Sequence, residues 1–305
     1  MFDNNIKLAL LGGDARQLAV ARRLSGLGFE TAVWGLGHGE EALGGAVRCD
    51  RWEDAVAGCH AVILPLPASS DGVRVNCPMS DPESPWRLKL SKLIDALPPG
   101  TPVLGGRFTP AFKSMADTAG HRAWDYFESE ELQIKNAVPT AEGAVAIAMN
   151  ELPVTIHGAR VAVIGYGRVG RTLAKILAAL GAQVTVAARK GVDLAWAENC
   201  GYGTLRIQVR DGVSSLRVLG EGYDVIFNTV PYWLFDGNVL PGICKNTLII
   251  DLASAPGGVD SRVAGECGVR VIWALSLPGK CSPYTAGNII CDTILDILSR
   301  EGVVQ

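Results

Sequence analysis

The sequence predicts an α/β protein with two doubly wound parallel-sheet domains, one in each half of the chain. Both halves open in the same way, at residues 7–28 and 160–181, with a short apolar strand, a glycine-rich turn and an amphipathic helix. Further strand-like segments alternate with helical ones, which is typical of parallel sheets with right-handed crossovers. The length of 305 residues also exceeds the usual size of a single domain.

In the first half, the apolar strand Lys7–Leu11 runs into Gly12 and Gly13, and the helix that follows is expected to end between Gly26 and Gly28. The other predicted strands are 31–34 and 61–64 in the first half and 184–187, 225–228, 248–251 and 269–272 in the second. Residues 68–85 lack periodicity and are rich in Pro, Ser and Asp, which predicts a long loop.

Two amphipathic helices, at 141–149 and 286–298, are predicted to form a hinge between the halves. The first would leave the N-terminal domain and the second would return to it. We therefore expect an N-terminal substrate domain of residues 1–136 plus 290–305 and a second domain of residues 137–289. In such an arrangement the active cleft is expected between the halves, at the carboxyl ends of both sheets.

The composition excludes several classes of function. Hydrophobic residues make up 48% of the chain and the net charge is -3, so nothing favours nucleic acid or an anionic membrane as a partner. No apolar run approaches the ~20 residues of a membrane span, and the N-terminus lacks the pattern of a signal peptide. The eight cysteines and four histidines are scattered without ligand spacing, so we expect no metal. These features predict a cytoplasmic protein with reduced thiols.

A glycine-rich hexapeptide begins the helix of the second half. It consists of Gly165, Tyr166, Gly167, Arg168, Val169 and Gly170. A strand before it, a helix after it and a second strand at the proper distance give the context of a dinucleotide fingerprint. Gly165 would form the tight turn, Gly167 would let the backbone approach the pyrophosphate, and Gly170 would let the helix pack on the sheet. The hexapeptide thus predicts a Rossmann-like dinucleotide-binding domain, with a purely structural turn as the alternative.

The end of the next strand distinguishes NADP from NAD. NAD-binding domains usually place a carboxylate there for the ribose hydroxyls, whereas here Ala188 is followed by Arg189 and Lys190, and the first acid is Asp193. Arginine suits a 2′-phosphate because it donates forked hydrogen bonds. We therefore expect NADP rather than NAD, although a solvated Arg-Lys pair would have the same sequence.

Two later strand ends are expected beside the ribose and the nicotinamide. The predicted contacts are Thr229, Val230 and Pro231, in the segment from Asn228 to Pro231 after one strand, and Asp251, Leu252 and Ala253 after the next. For Asp251, a role as a turn or cap residue is equally compatible with the sequence.

Candidate substrate ligands follow strands in both halves. The turn after Lys7–Leu11 lacks the third glycine of a fingerprint, so a second cofactor is not expected there. Arg16, beside a helix N-terminus, could instead bind a carboxylate, or could be an ordinary surface residue. Ser69, Ser70 and Ser254 are further candidate donors.

The hinge helix is expected to begin at Pro139, with Thr140 as its N-cap and Glu142 in its first turn. Glu142 could then transfer a proton, hold substrate or merely stabilise the helix dipole. No histidine follows His157, so the late acid/base histidine of hinge-type 2-hydroxyacid dehydrogenases is missing. A simple hydroxyacid dehydrogenase is therefore not favoured.

Several segments together resemble the family of the bacterial dipicolinate synthase A subunit over nearly the whole chain. They are GGDARQ at 12–17, VPTAEGA at 138–144, TIHGARVAVIGYGRVG at 155–170, GAQVTVAAR at 181–189, DLASAPGG at 251–258 and LPGKCSPYTAG at 277–287. The polar run Lys280-Cys281-Ser282 departs from the apolar stretch expected in this family.

The resemblance implies an NADP-dependent oxidoreductase in the mother cell of a sporulating bacterium. It would oxidise a dihydrodipicolinate-type precursor to the aromatic dicarboxylate dipicolinate. Its partner would be a flavoprotein-like B subunit, and the resemblance is compatible with a homo-oligomer. The reaction needs a hydride acceptor and a site for two carboxylates more than it needs a strong base. The alternatives are another hinge-type amino- or imino-acid dehydrogenase, similar to alanine dehydrogenase, and a non-catalytic NADP-sensing subunit.

Overall fold

A computed structural model describes residues 6–37, 43–80, 88–210, 213–220 and 222–304. The chain divides into two compact units, unit 1 with Met1–Asn136 and Ser282–Gln305, and unit 2 with Ala137–Cys281. The predicted loop at 68–85 is irregular through residue 80, and its remaining residues lie outside the described part of the chain.

The elements alternate along the chain as the sequence predicts. The strands are β1 (Lys7–Leu11), β2 (Glu30–Trp34), β3 (Val47–Arg48), β4 (Ala61–Ile63), β5 (Val103–Gly105), β6 (Ala123–Asp125), β7 (Arg160–Ile164), β8 (Gln183–Ala188), β9 (Gly203–Arg206), β10 (Val209–Arg210), β11 (Val213–Ser214), β12 (Val225–Asn228), β13 (Leu248–Asp251) and β14 (Arg270–Trp273). The helices are α1 (Ala15–Gly26), α2 (Trp52–Val56), α3 (Leu90–Ala96), α4 (Pro110–Thr118), α5 (Glu130–Glu151), α6 (Arg168–Ala179), α7 (Gly191–Asn199), α8 (Ser261–Cys267), α9 (Leu277–Cys281) and α10 (Pro283–Arg300).

Each unit contains one six-stranded parallel sheet, and the two sheets share one topology. The strand order in unit 1 is β3-β2-β1-β4-β5-β6. Unit 2 has the order β9-β8-β7-β12-β13-β14, together with a small antiparallel pair, β10 and β11. Both orders are the doubly wound pattern in which the chain reverses direction beside the first strand. The predicted fold class is therefore confirmed.

Apolar side chains cover both faces of each sheet. In β1, Leu8 and Leu10 belong to one buried cluster, while Ala9 and Leu11 belong to another on the opposite face. Successive residues of a strand point to opposite faces, so an uninterrupted apolar run such as KLALL is what a sheet covered on both sides requires. The first strand of unit 2, β7, follows the same rule.

The hinge helix differs from its prediction. α5 starts at Glu130 and contains Pro139 in its interior, so the expected start at Pro139 is wrong. Thr140 is accordingly no N-cap, and Glu142 lies in the middle of the helix rather than in its first turn. An interior proline removes one backbone hydrogen bond at a cost of about 3 kcal/mol, which a helix of 22 residues with a buried alanine face can offset.

The chain returns to unit 1 earlier than predicted, at Ser282 rather than at residue 290. The reason is the close packing of α10 on α1. A Cβ atom on Gly287 would lie 2.6 Å from the Cβ of Ala19 and 2.5 Å from the carbonyl oxygen of Arg16. Because this contact involves the first turns of α10, the whole helix belongs to unit 1. No helix in the described ranges is both long and apolar enough to cross a membrane.

Candidate functional site

The turn after β7 leaves no room for side chains at two of its glycines. Gly165 has φ +93°, and a Cβ atom there would lie 2.4 Å from Oγ1 of Thr229. At Gly170 a Cβ atom would lie 2.1 Å from the carbonyl oxygen of Gly165. Glycine at these positions therefore lets α6 and the segment after β12 approach β7 closely, as the sequence predicts.

Gly167 has a different environment. It is exposed, its φ of -83° suits any residue, and a Cβ atom there would meet nothing within 4 Å. Gly167 is also the N-cap of α6 and supplies no side-chain cap. The space beside Gly167, at the positive end of α6, is therefore open, which fits the approach of a pyrophosphate to backbone donors.

The predicted cofactor residues all lie at the carboxyl edge of the unit 2 sheet. Strand pairing aligns Ile164 with Ala187 of β8 and with Asn228 of β12, and Asn228 with Asp251 of β13. The residues that follow these strand ends are Gly165, Tyr166, Gly167, Arg168, Val169, Arg189, Lys190, Thr229, Val230, Pro231, Leu252 and Ala253. Residues far apart in the sequence are thus brought to one edge; Ile164 and Thr229, for example, are 65 positions apart.

Asp251 and Asn228 form a buried polar pair that shapes the segments after β12 and β13. Asp251 is 2% exposed and Asn228 is 0% exposed. The Asn228 side-chain amide donates to Asp251 (2.8 Å) and to the carbonyl oxygen of Val230 (3.0 Å). Asp251 also accepts from the backbone N–H groups of Ala253 and Gly258. The sequence left two roles open for Asp251, a contact to the cofactor and a cap of the turn. These hydrogen bonds support the role as a cap.

The sequence placed Asn228 in the segment beside the cofactor but did not reveal its structural role. Its signal was available, because a polar residue that ends a strand of otherwise apolar residues (VIFN) must find partners when buried. Thr229, which follows it, donates from Oγ1 to the carbonyl oxygen of Ile164 at 2.8 Å. Together these bonds fasten the segment after β12 to the glycine turn.

The carboxylate nearest to the end of β8 is already paired. Asp193 accepts from Arg171 of α6 at 3.1 Å, and Arg171 also donates to the carbonyl oxygen of Tyr166 at 3.0 Å. The Tyr166 side chain is buried beside Arg171, and this burial, together with a hydrogen bond to Cys200, raises the pKa of Tyr166 to about 12. Tyr166 therefore stays neutral and anchors the turn.

Basic residues gather at the N-terminus of α7. Arg189 and Lys190 are exposed directly after β8, as the sequence placed them. Arg206 ends β9 in register with Ala188, and its Nη2 would lie 2.8 Å from a Cβ atom on Gly191, the first residue of α7. Cations at the positive end of a helix are unfavourable on their own. The arrangement therefore favours an anion at this point, and Arg206 is a residue that sequence reasoning missed.

Arg16 in unit 1 is buried rather than a surface residue. Its Nε and Nη2 donate to Asp14, the N-cap of α1, and Nη2 also donates to the carbonyl oxygen of Leu66. Nη1 has no such partner among the described residues. Arg16 thus joins α1 to the segment after β4, and only one nitrogen of its guanidinium is left for a ligand.

The candidate serines differ in their freedom to donate. Ser69 donates its only hydroxyl proton to Asp71 at 3.0 Å. Backbone N–H groups of Arg74 and Val73 also donate to Asp71 and hold its pKa far below the usual range, so this acceptor stays ionised. Ser70 and Ser254 are exposed, as is Glu142 on α5. Within the described part of the chain, no group of three or more His, Cys, Asp and Glu residues could hold a metal ion.

Comparison with known proteins agrees with this geometry. Residues 7–127 match the family model of the N-terminal domain of the dipicolinate synthase A subunit. The chain is 33% identical over 295 residues to the dipicolinate synthase A subunit of Bacillus subtilis (strain 168), covering 97% of this chain and 96% of the relative. This chain belongs to the dipicolinate synthase A subunit family. The resemblance seen in the sequence is thereby confirmed, and the relative's designation as one subunit of a synthase implies a partner subunit.

Solved structures of the family have the same architecture. The dipicolinate synthase A subunit of Bacillus halodurans superposes with a TM-score of 0.84 at 31% identity, covering 96% of this chain and 98% of that one. The A chain of Bacillus subtilis dipicolinate synthase gives 0.82 at 30% identity, covering 97% of each. Residues 122–209 also match the NAD-binding domain of D-isomer specific 2-hydroxyacid dehydrogenases. This family member therefore carries a dehydrogenase-like dinucleotide-binding domain, which supports an oxidoreductase.

Proposed function

We propose that this chain is the oxidoreductase subunit of a dipicolinate synthase. It would oxidise a dihydrodipicolinate-type precursor to pyridine-2,6-dicarboxylate with NADP, in the mother cell of a sporulating bacterium and together with a B subunit. The observation that carries the proposal is the open space beside Gly167 at the uncapped N-terminus of α6, in a chain of this family.

The cofactor would be held along the carboxyl edge of the unit 2 sheet. The N–H groups at the start of α6 would bind the pyrophosphate, and the segments at 229–231 and 252–253 would bind the ribose and the nicotinamide. Buried hydrogen bonds of Asn228 and Asp251 hold the backbone of these segments in place before the cofactor binds. When bound, NADP supplies the hydride acceptor of the reaction.

NADP is favoured over NAD by the charges around the N-terminus of α7. Arg189, Lys190 and Arg206 would surround a 2′-phosphate, which accepts several charge-assisted hydrogen bonds. The first acid after the end of β8 is Asp193, and Arg171 already binds it. The NAD pattern of a free carboxylate after β8 therefore does not fit these residues.

The remaining task of the chain is to orient the substrate. Loss of a hydride and a proton makes the ring aromatic, so water can accept the proton and positioning dominates. Arg16, through Nη1, Ser70 and Ser254 are the candidate donors to substrate carboxylates, and Ser69 would serve only as an acceptor. Glu142 is the candidate proton acceptor among the predicted residues.

A direct assay tests the proposal. Purified chain is mixed with NADP and dihydrodipicolinate, alone and with the B subunit, and NADPH formation is followed by absorbance. Formation of NADPH by the chain alone supports the oxidoreductase reaction, with a lower rate when NAD replaces NADP. Absence of NADPH in both mixtures would rule the proposal out.

A further inference from the structure

Arg107 lies at the carboxyl edge of the unit 1 sheet, two residues after the end of β5. Its φ of +58° is in the left-handed region, which residues other than glycine rarely adopt. Arg107 is exposed, although both neighbours in the chain, Gly106 and Phe108, are buried. Such a backbone conformation costs about 1 kcal/mol or more and persists only where the surroundings enforce it.

The surroundings of Arg107 do enforce this conformation. The carboxylate of Asp125 accepts the backbone N–H groups of both Arg107 (2.9 Å) and Phe108 (2.8 Å). Neither preceding residue has room for a side chain, since Cβ atoms on Gly105 and Gly106 would lie 2.5 Å from the Phe108 ring and 2.4 Å from Leu66. The position of Arg107 is therefore fixed by contacts within the protein, before any ligand binds.

The guanidinium of Arg107 lies over the ring of Phe127, with 4.9 Å between Cζ and the ring centroid. No ion pair or hydrogen bond of this guanidinium is found with any described residue. Arg16 differs, because Asp14 and the carbonyl oxygen of Leu66 occupy its Nε and Nη2. A contact with an aromatic face does not use the guanidinium N–H groups as hydrogen-bond donors to an acceptor atom, so they are left to bind a carboxylate in a fork.

Hydrogen bonds connect the Arg107 segment to the segment after β4. The N–H of Ala68 donates to the carbonyl oxygen of Gly106 at 2.8 Å, and the N–H of Gly106 donates to that of Pro65 at 3.1 Å. Ser70 is exposed and lies two residues after Ala68. It therefore follows a segment that is hydrogen-bonded to the segment containing Arg107. A fixed arginine and an exposed hydroxyl, on two hydrogen-bonded segments at the same edge of one sheet, form a suitable subsite for one carboxylate.

We propose that Arg107 binds one of the two carboxylates of the substrate. The inference rests on the proposed function, which requires a site for a dicarboxylate, and it adds a residue that sequence reasoning did not select. Arg107 would act as a binding and specificity residue, distinguishing a ring with two carboxylates from a ring with one.

The test measures dissociation constants of pyridine-2,6-dicarboxylate and pyridine-2-carboxylate by calorimetry, with the full chain saturated with NADP. In Arg107→Gln we expect the dicarboxylate to bind about 10- to 100-fold more weakly, as loss of a charge-assisted pair predicts. The monocarboxylate would lose less, because it can use the remaining subsite, so the preference for the dicarboxylate shrinks. Arg107→Lys should fall between the parent and Arg107→Gln, because lysine keeps the charge without the fork.

Arg122→Gln is the matched control. Arg122 is an exposed arginine of unit 1 directly before β6, at the amino end of the sheet, and its substitution should leave both affinities unchanged. The inference is overturned if Arg107→Gln keeps the parent's preference while the parent binds the dicarboxylate. It is also overturned if Arg107→Gln loses affinity for the dicarboxylate and at the same time loses its thermal unfolding transition, since Arg107 would then be structural. A parent that binds neither compound refutes the proposed function itself.

Discussion

Alanine substitution at Gly167 and at Gly170 separates cofactor binding from packing within one turn. At Gly170 the new methyl group would lie 2.1 Å from a backbone oxygen, where ordinary contacts begin at 3.4 Å, so the backbone must move by more than an ångström. Overpacking of this kind costs about 1–3 kcal/mol. With roughly 2–4 °C in Tm per kcal/mol for a unit of this size, Gly170→Ala should lower the Tm by about 3–10 °C.

Gly167→Ala should leave the folded chain nearly unchanged. Its φ of -83° suits alanine, no atom lies within 4 Å of the new methyl group, and the small loss at the N-cap is offset by about 0.4–1 kcal/mol of reduced chain entropy. The methyl group would nevertheless stand where a pyrophosphate must approach the backbone. Loss of one or two charge-assisted hydrogen bonds predicts NADP binding weakened by about 10- to 100-fold or more.

The assay combines thermal unfolding with an NADP titration on the same samples of parent, Gly167→Ala and Gly170→Ala. Parent-like affinity for NADP in Gly167→Ala would show that the space beside this glycine does not receive the cofactor. An equal fall in Tm for both variants would contradict the packing argument, because the two positions would then share one role.

Two further variants test the charges of the two units. Replacing Arg189 and Arg206 together by Ser should weaken NADP binding by about 10- to 100-fold and leave NAD binding nearly unchanged, because only NADP carries the 2′-phosphate; an equal loss for both nucleotides in the titrations would contradict this reasoning. Arg16→Met should lower the free energy of unfolding by about 2–4 kcal/mol, since a largely buried ion pair and a carbonyl oxygen lose their partner. Chemical denaturation measures that loss, and a change below about 0.5 kcal/mol would show that Arg16 is held more weakly than its bonds suggest.

The features that the sequence predicted well are those fixed by neighbours along the chain. The turn at Gly165 and Gly170 is an example, because the strand before it and the helix after it are consecutive segments with clear apolar periods. β5 and β6 were missed, since the short segments VLG and AWD contain too few apolar residues to indicate a strand. The start of α5 was misplaced because a proline at residue 139 normally marks a first turn, whereas here buried alanines carry the helix through it.

Long-range pairing determined the site residues that the sequence did not reveal. Arg206 joins Arg189 only through the register of β9 with β8, and nothing near residue 206 in the sequence indicates that register. The charge balance around Asp193 likewise depends on Arg171, which comes 22 residues earlier on another helix. A sequence motif can therefore identify the cofactor class, while the choice of cofactor depends on neighbours that only the fold brings together.

Arg16 and Arg107 show the same dependence within a single sheet. Both arginines follow strands of unit 1 at the carboxyl edge. From residue type and local sequence alone, Arg16 is the better candidate for binding an anion, because it lies in the first turn of a helix. In the fold, the guanidinium of Arg16 donates to the carboxylate of Asp14 and to the carbonyl oxygen of Leu66. The carboxylate of Asp125 instead accepts the backbone N–H of Arg107, and the guanidinium of Arg107 contacts only an aromatic ring among the described residues. Since a cation already paired inside the protein gains little from a second anion, the substrate carboxylate should depend more on Arg107 than on Arg16.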